Sequence, residues 1–120
     1  MAVSPDFLAY VLEQLEPVRA NSRKMFGGAG LYIDGVFFAL VDDDVLFLKS
    51  DEQTREDFLA RGSVKWSPPG MAPTFGYLSC PPEVLEDPDE LATWARKACD
   101  VALRKKAGKP AKKPSRQAPD

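Results

Sequence analysis

Three apolar runs, GLYI (30–33), VFFALV (36–41) and VLFLK (45–49), follow one another with only Asp34-Gly35 and Asp42-Asp43-Asp44 between them. Short runs rich in β-branched and aromatic residues read as strands. A parallel crossover needs a dozen or more residues, so these connections permit only antiparallel neighbours. Asp34-Gly35 is a pair favoured by type I′ turns, in which both central residues take positive φ. The chain is committed to a β-meander.

Both alternating sets of VFFALV are apolar: Val36, Phe38 and Leu40 on one side, Phe37, Ala39 and Val41 on the other. VLFLK repeats the pattern, with Val45 and Phe47 opposite Leu46 and Leu48. An antiparallel sheet with one solvated face would show polar residues on that face. Either helices cover both faces, or the second face meets another copy in a homodimer.

The flanking segments supply helices. Ser4-Pro5 pairs an N-cap hydroxyl with proline at the first helical position, and Phe7, Leu8, Val11, Leu12 and Leu15 recur at helical spacing. Pro17 is expected to end this helix. Ser50 with Gln53 suggests a capping box and a short helix to about Ala60, burying Phe58 and Leu59 and stopped by Gly62. Residues 64–66 and 74–80 read as strands around the loop SPPGMAP. Asp87-Pro88-Asp89-Glu90 opens a last helix with an apolar stripe of Leu91, Trp94, Ala95, Ala98, Val101 and Ala102. The expected order is α-β-β-β-α-β-β-α: an α+β, two-layer domain with an antiparallel sheet of about five strands, over residues 1–106. Residues 107–120 lack an apolar period and are expected to form a disordered basic tail.

Charge is distributed unevenly. Residues 1–103 hold nine basic and seventeen acidic residues, a net of −8, which does not suit a duplex-binding surface. Arg104, Lys105, Lys106, Lys109, Lys112, Lys113 and Arg116 follow with no acid among them. This segment suits weak phosphate contacts without sequence preference, or simple solubilisation, and its lack of aromatic residues removes base stacking. The start MAVSPDF has no basic region ahead of an apolar core, and the longest apolar run is too short to span a bilayer, so a cytoplasmic protein is expected.

The stretch RKMFGGAGLYIDG (23–35) raises the question of a phosphate-binding loop. A dinucleotide fingerprint needs a third glycine and a following helix; here Ile33 stands at the third position and a strand follows. No Gly-Lys-Ser/Thr completes a Walker A loop. The glycines are read instead as a bulge or a close backbone approach. The chain contains no histidine, which removes imidazole bases and ligands, and nothing marks a Ser-Lys dyad at Lys24 or Lys49. Asp42–Asp44 lacks the alternating ligands of a calcium loop and reads as a solvated turn. Cys80 and Cys99 form neither a CxxC nor a zinc spacing and read as reduced thiols. No enzyme, metal or cofactor is expected.

The Arg-x-Met-Phe-Gly-Gly-x-Gly-Leu-Tyr core at residues 23–32 and the Leu-Glu-Asp…Leu-x-x-Trp-Ala pattern at residues 85–95 resemble the TfoX N-terminal domain family. The resemblance covers roughly residues 7–103. It implies a two-layer α+β domain and a non-catalytic role of the kind associated with transcriptional co-regulators of competence; no catalytic residues carry over. The regulators so named have a helical C-terminal domain, where this sequence has a short basic tail. A protein partner, with the transcription machinery as the class implied, would be met by Arg23, Met25, Phe26, Gly27, Gly28 and Gly30 or by the apolar sheet face. The competing expectation is a small-molecule or enzymatic pocket near Met25, Phe26 and Trp66.

Overall fold

The computed structural model describes residues 4–25, 28–68 and 70–107, apart from the side chains of Lys106 and Ala107. In chain order the elements are α1 (Pro5–Gln14), a 3-10 turn (Glu16–Val18), β1 (Asn21–Met25), β2 (Gly28–Ile33), β3 (Val36–Asp42) and β4 (Val45–Lys49). Then come α2 (Arg55–Leu59), β5 (Lys65–Trp66), β6 (Thr74–Ser79), α3 (Pro82–Leu85) and α4 (Pro88–Ala107). The six strands form one antiparallel sheet in the order β1-β2-β3-β4-β6-β5.

The meander forms as its turns dictate. Asp34 and Gly35 take φ of 50° and 79°, and Asp43 and Asp44 take 53° and 57°. Both hairpins thus place two residues in the left-handed region, which aspartate tolerates better than most side chains. The second turn also anchors α1: the Ser4 amide donates to Asp44 Oδ1 at 2.7 Å, while Ser4 Oγ accepts from the Phe7 amide at 3.2 Å.

The sheet has one strand more than expected. β1 is NSRKM, a polar edge strand with no apolar alternation, so periodicity gives no sign of it. Pro17 lies within the 3-10 turn rather than ending α1, which stops at Gln14. The expected Ser50 cap does not form: α2 starts only at Arg55, after a turn over residues 51–54. Asp51 and Thr54 form a reciprocal pair there: Asp51 Oδ1 accepts from the Thr54 amide at 3.2 Å, and the Asp51 amide donates to Thr54 Oγ1 at 3.1 Å. Ser50 is instead buried as a strand tie, donating its amide to Gly76 O at 2.9 Å and its hydroxyl to Phe75 O. Phe58 is buried but Leu59 is exposed, because α2 has only one face against the domain. Gly62 ends that segment in the left-handed region, as expected.

All four helices pack on one face of the sheet. Val11 and Leu15 from α1 and its end, Phe58 from α2 and Val84 from α3 join Leu91, Trp94, Ala95 and Ala98 of α4. They meet Leu31, Phe38, Ala39, Val41, Leu46, Leu48 and Leu78 of the sheet. Phe58 and Trp94 meet edge to face at 5.0 Å, a geometry that adds about 0.5–1.5 kcal/mol beyond area burial. Asp87 Oδ1 caps α4 by accepting from the Asp89 and Glu90 amides. Among the described residues no helix is long and apolar enough to cross a membrane.

Candidate functional site

A β-bulge decides which side chains reach the other face. Leu31 pairs with Ala39 and Tyr32 with Phe37, leaving Phe38 as the extra residue of β3. One inserted residue reverses the side-chain alternation beyond it. Phe38 and Ala39 therefore both enter the helix-covered core, while Phe37 joins Leu40 on the second face. The alternating sets expected from VFFALV are corrected accordingly.

No helix packs across the second face among the described residues; the last turns of α4 only border it at Phe37 and Lys49. Leu40, Phe47 and Trp66 are buried there with Phe37 and Tyr77 packed against them, and all five come from strands. Trp66 is the lid: its indole N–H donates to Asp42 Oδ2 at 3.0 Å. In a flat sheet β5 and β3 would lie roughly 14 Å apart, three strand spacings. The Trp66 and Asp42 side chains nevertheless meet across β4 and β6.

A row of rings lines this face. Tyr32 and Phe37 lie 5.3 Å apart, Phe37 and Tyr77 6.0 Å, Tyr77 and Trp66 5.4 Å, and Trp66 and Phe47 6.5 Å. Cations sit on the row: Arg23 is 5.3 Å from the Tyr32 centroid, and Lys49 Nζ is 5.0 Å from Phe37 and 5.6 Å from Tyr77. Beside it, Arg55 and Lys65 flank Phe75 at 4.3 and 4.5 Å. Burial, then the charge of Lys105, pulls the Lys49 ammonium below its usual range. Burial, then the neighbouring Tyr32, pushes the Tyr77 phenol up to about 12. Tyr32, Phe37 and Tyr77 are half-buried, so their remaining surface faces outward.

The glycine stretch borders this row. Arg23 pairs with Gly30 and Met25 with Gly28 across β1 and β2. A Cβ on Gly28 would stand 2.2 Å from Val41 O, so β2 approaches β3 too closely for any side chain. A Cβ on Gly30 would stand 3.0 Å from both Met25 Sδ and Phe37 Cε1, which fill the space above it. Both glycines lie inside a strand and make room for neighbours; this is sheet construction. The profile of the TfoX N-terminal domain family matches residues 11–102.

The chain belongs to the TfoX N-terminal domain family. Comparison with curated proteins gave no match. In this TfoX N-terminal domain the structure brings Arg23, Met25, Gly28 and Gly30 to one edge of the aromatic row; Phe26 and Gly27 lie outside the described residues. The basic segment is divided. Arg104 and Lys105 stand on the last turns of α4, and Arg104 donates to Asp51 Oδ2 through Nε at 3.1 Å and Nη2 at 2.8 Å. Lys109, Lys112, Lys113 and Arg116 lie outside the described residues, as does the side chain of Lys106.

Other groups offer little chemistry. Cys80 and Cys99 are free thiols, pushed up to about 12 and about 11, chiefly by burial and then by nearby carboxylates. Both are protonated near neutral pH and poor nucleophiles. Among the described residues no cluster of three or more Cys, Asp or Glu side chains has the placement to hold a metal ion. Sequence reasoning singled out the glycines but missed the row Tyr32–Phe37–Tyr77. Its available signal was an aromatic residue on each of three strands, obscured by the bulge at Phe38.

Proposed function

We propose that this TfoX N-terminal domain is a non-catalytic contact module that binds a protein partner of the transcription machinery through the helix-free sheet face. The observation that supports it is the outward-facing row Tyr32–Phe37–Tyr77, backed by Trp66 and edged by Arg23 and Lys49. Trp, Tyr and Arg dominate interaction hot spots because they bring large rigid area and specific polar tips. Membership of the TfoX N-terminal domain family is compatible with a regulatory setting, and competence is the process that the resemblance of its motifs implies. The basic segment after α4 adds weak electrostatic attraction to nucleic acid, consistent with action near a promoter. Self-association would use the same rings, and a light-scattering mass distinguishes it from hetero-association.

The test is retention of RNA polymerase and its activators from the protein's own cell on immobilised domain. Wild type should retain a defined component, and a Tyr32→Ala, Arg23→Ala double variant should lose it with its thermal melt intact. Retention of neither class by wild type, or equal retention by the variant, sinks the reading.

A further inference from the structure

Among the described residues, three open clefts of comparable size differ in charge. One of about 550 Å³ faces Arg19 and Arg96 with Asp34 and Asp100. Another of about 410 Å³ contains Arg61 and Lys97, both paired with acids: Arg61 with Glu90 at 3.3 Å and Lys97 with Asp57 at 3.9 Å. Each compensates its own charge. The third, of about 440 Å³, is lined among the described residues by Lys49 and Lys105 with no carboxylate, beside Val36, Phe37, Ala102 and Leu103. Its volume falls within the about 300–1,000 Å³ typical of small-molecule sites.

The acids nearby are engaged elsewhere: Asp57, which lines a small cavity with Lys49, pairs with Lys97 at 3.9 Å, and Asp34 of the β2–β3 turn faces the cleft that holds Arg19 and Arg96. Asp51, two residues beyond Lys49, accepts both Arg104 bonds and the Gln53 and Thr54 amides. Lys49 is held in place by the Phe37 and Tyr77 rings, and the charge of Lys105 reaches it. Two like charges face one cleft in a domain that is otherwise strongly acidic. Leu103 presents an apolar side chain, 51% exposed, on the same wall.

We propose that the cleft between the β2–β3 turn, Lys49 and the last turns of α4 binds a small organic anion, a carboxylate or phosphate monoester on an apolar stem. The headgroup lies between the Lys49 and Lys105 ammonium groups, and the stem lies along Phe37 and Leu103. Such a ligand relieves the lysine repulsion and covers apolar surface at once, which neither a bare ion nor a neutral molecule does. The inference does not depend on the protein-partner reading, and its test uses no partner.

Titration calorimetry of the full chain with hexanoate, phenyl phosphate and inorganic phosphate tests it. At least one stemmed anion should bind in the millimolar range or tighter, and inorganic phosphate about fivefold or more weakly, since it buries no apolar surface. Lys49→Met and Lys105→Met should each weaken binding roughly 10- to 100-fold, the loss of a hydrogen bond to a charged group. Lys65→Met, which alters the cation on Phe75, should leave it unchanged. The proposal is overturned if neither stemmed anion binds, if inorganic phosphate binds as well as they do, or if both lysine variants keep wild-type affinity. Lys105 is exposed near the end of α4, so its variant tests the site even if Lys49→Met fails to fold.

Discussion

Trp66 of β5 donates its indole N–H to Asp42 of β3 at 3.0 Å, across two intervening strands. That bond closes the second face over Leu40 and Phe47. Trp66→Phe keeps most of the buried ring but leaves the Asp42 carboxylate one donor fewer, and should cost about 1.5–3 kcal/mol. Trp66→Ala also opens a cavity and should cost about 3–5 kcal/mol. Urea unfolding monitored by far-ultraviolet circular dichroism gives both values. Equal losses for the two variants would mean that packing contributes little.

The glycines of β2 should respond differently from a turn glycine. Gly28→Ala drives a methyl into the Val41 carbonyl, a backbone atom that can move only by parting β2 from β3. It should destabilise by more than the about 1–3 kcal/mol of ordinary overpacking. Gly30→Ala meets the flexible end of Met25 as well as the Phe37 ring, and should be milder. Gly35→Ala meets nothing within 4 Å but takes φ of 79°, so roughly 1–2 kcal/mol is expected from strain alone. Thermal melts that rank Gly28 below Gly30 in severity would contradict the geometry.

Arg104 holds the end of α4 against the β4–α2 connection through Asp51. Burial pushes the Asp51 carboxyl up, but bonds from Arg104 and the Gln53 and Thr54 amides, with the guanidinium charge, outweigh it and leave it below its usual range. A lowered folded value makes ionised Asp51 stabilising above its unfolded pKa of about 3.9, and that contribution fades as pH falls through the folded value. The pair is partly exposed, so Arg104→Ala should cost no more than about 0.5–1 kcal/mol at neutral pH. The cost should shrink in acid, as denaturation at several pH values will register.

The two thiols should alkylate in sequence. Cys99 is half-buried and pushed up to about 11, whereas Cys80 is buried and pushed up to about 12. Iodoacetamide at mildly alkaline pH should label both slowly, Cys99 first, with Cys80 reacting fully only after denaturation. Mass spectrometry of quenched time points reads the order. Rapid labelling of Cys80 in the folded protein would contradict its burial.

Much of the fold was legible from local chemistry. Asp34-Gly35, Ser4-Pro5 and Asp87-Pro88 act through their own backbone preferences and caps, so the meander and both long helices could be placed from the residues. β1 escaped because an edge strand with both sides near solvent carries no apolar period. Ser50 escaped because its partners, Phe75 and Gly76, lie on a strand distant in sequence.

The site was less legible than the fold. The glycines announced a close approach, yet only the register shows that Gly28 yields to the Val41 carbonyl and Gly30 to Met25 and Phe37. Sequence by itself determined the antiparallel hairpins, the helix starts and the apolar character of both sheet faces, since these follow from neighbours along the chain. Tertiary structure alone decided how the second face is closed. One extra residue at Phe38 reverses the alternation, Trp66 reaches Asp42 across two intervening strands, and α4 brings Lys105 beside Lys49. Each is a meeting of residues far apart in the chain, and such meetings depend on the packing of the whole domain.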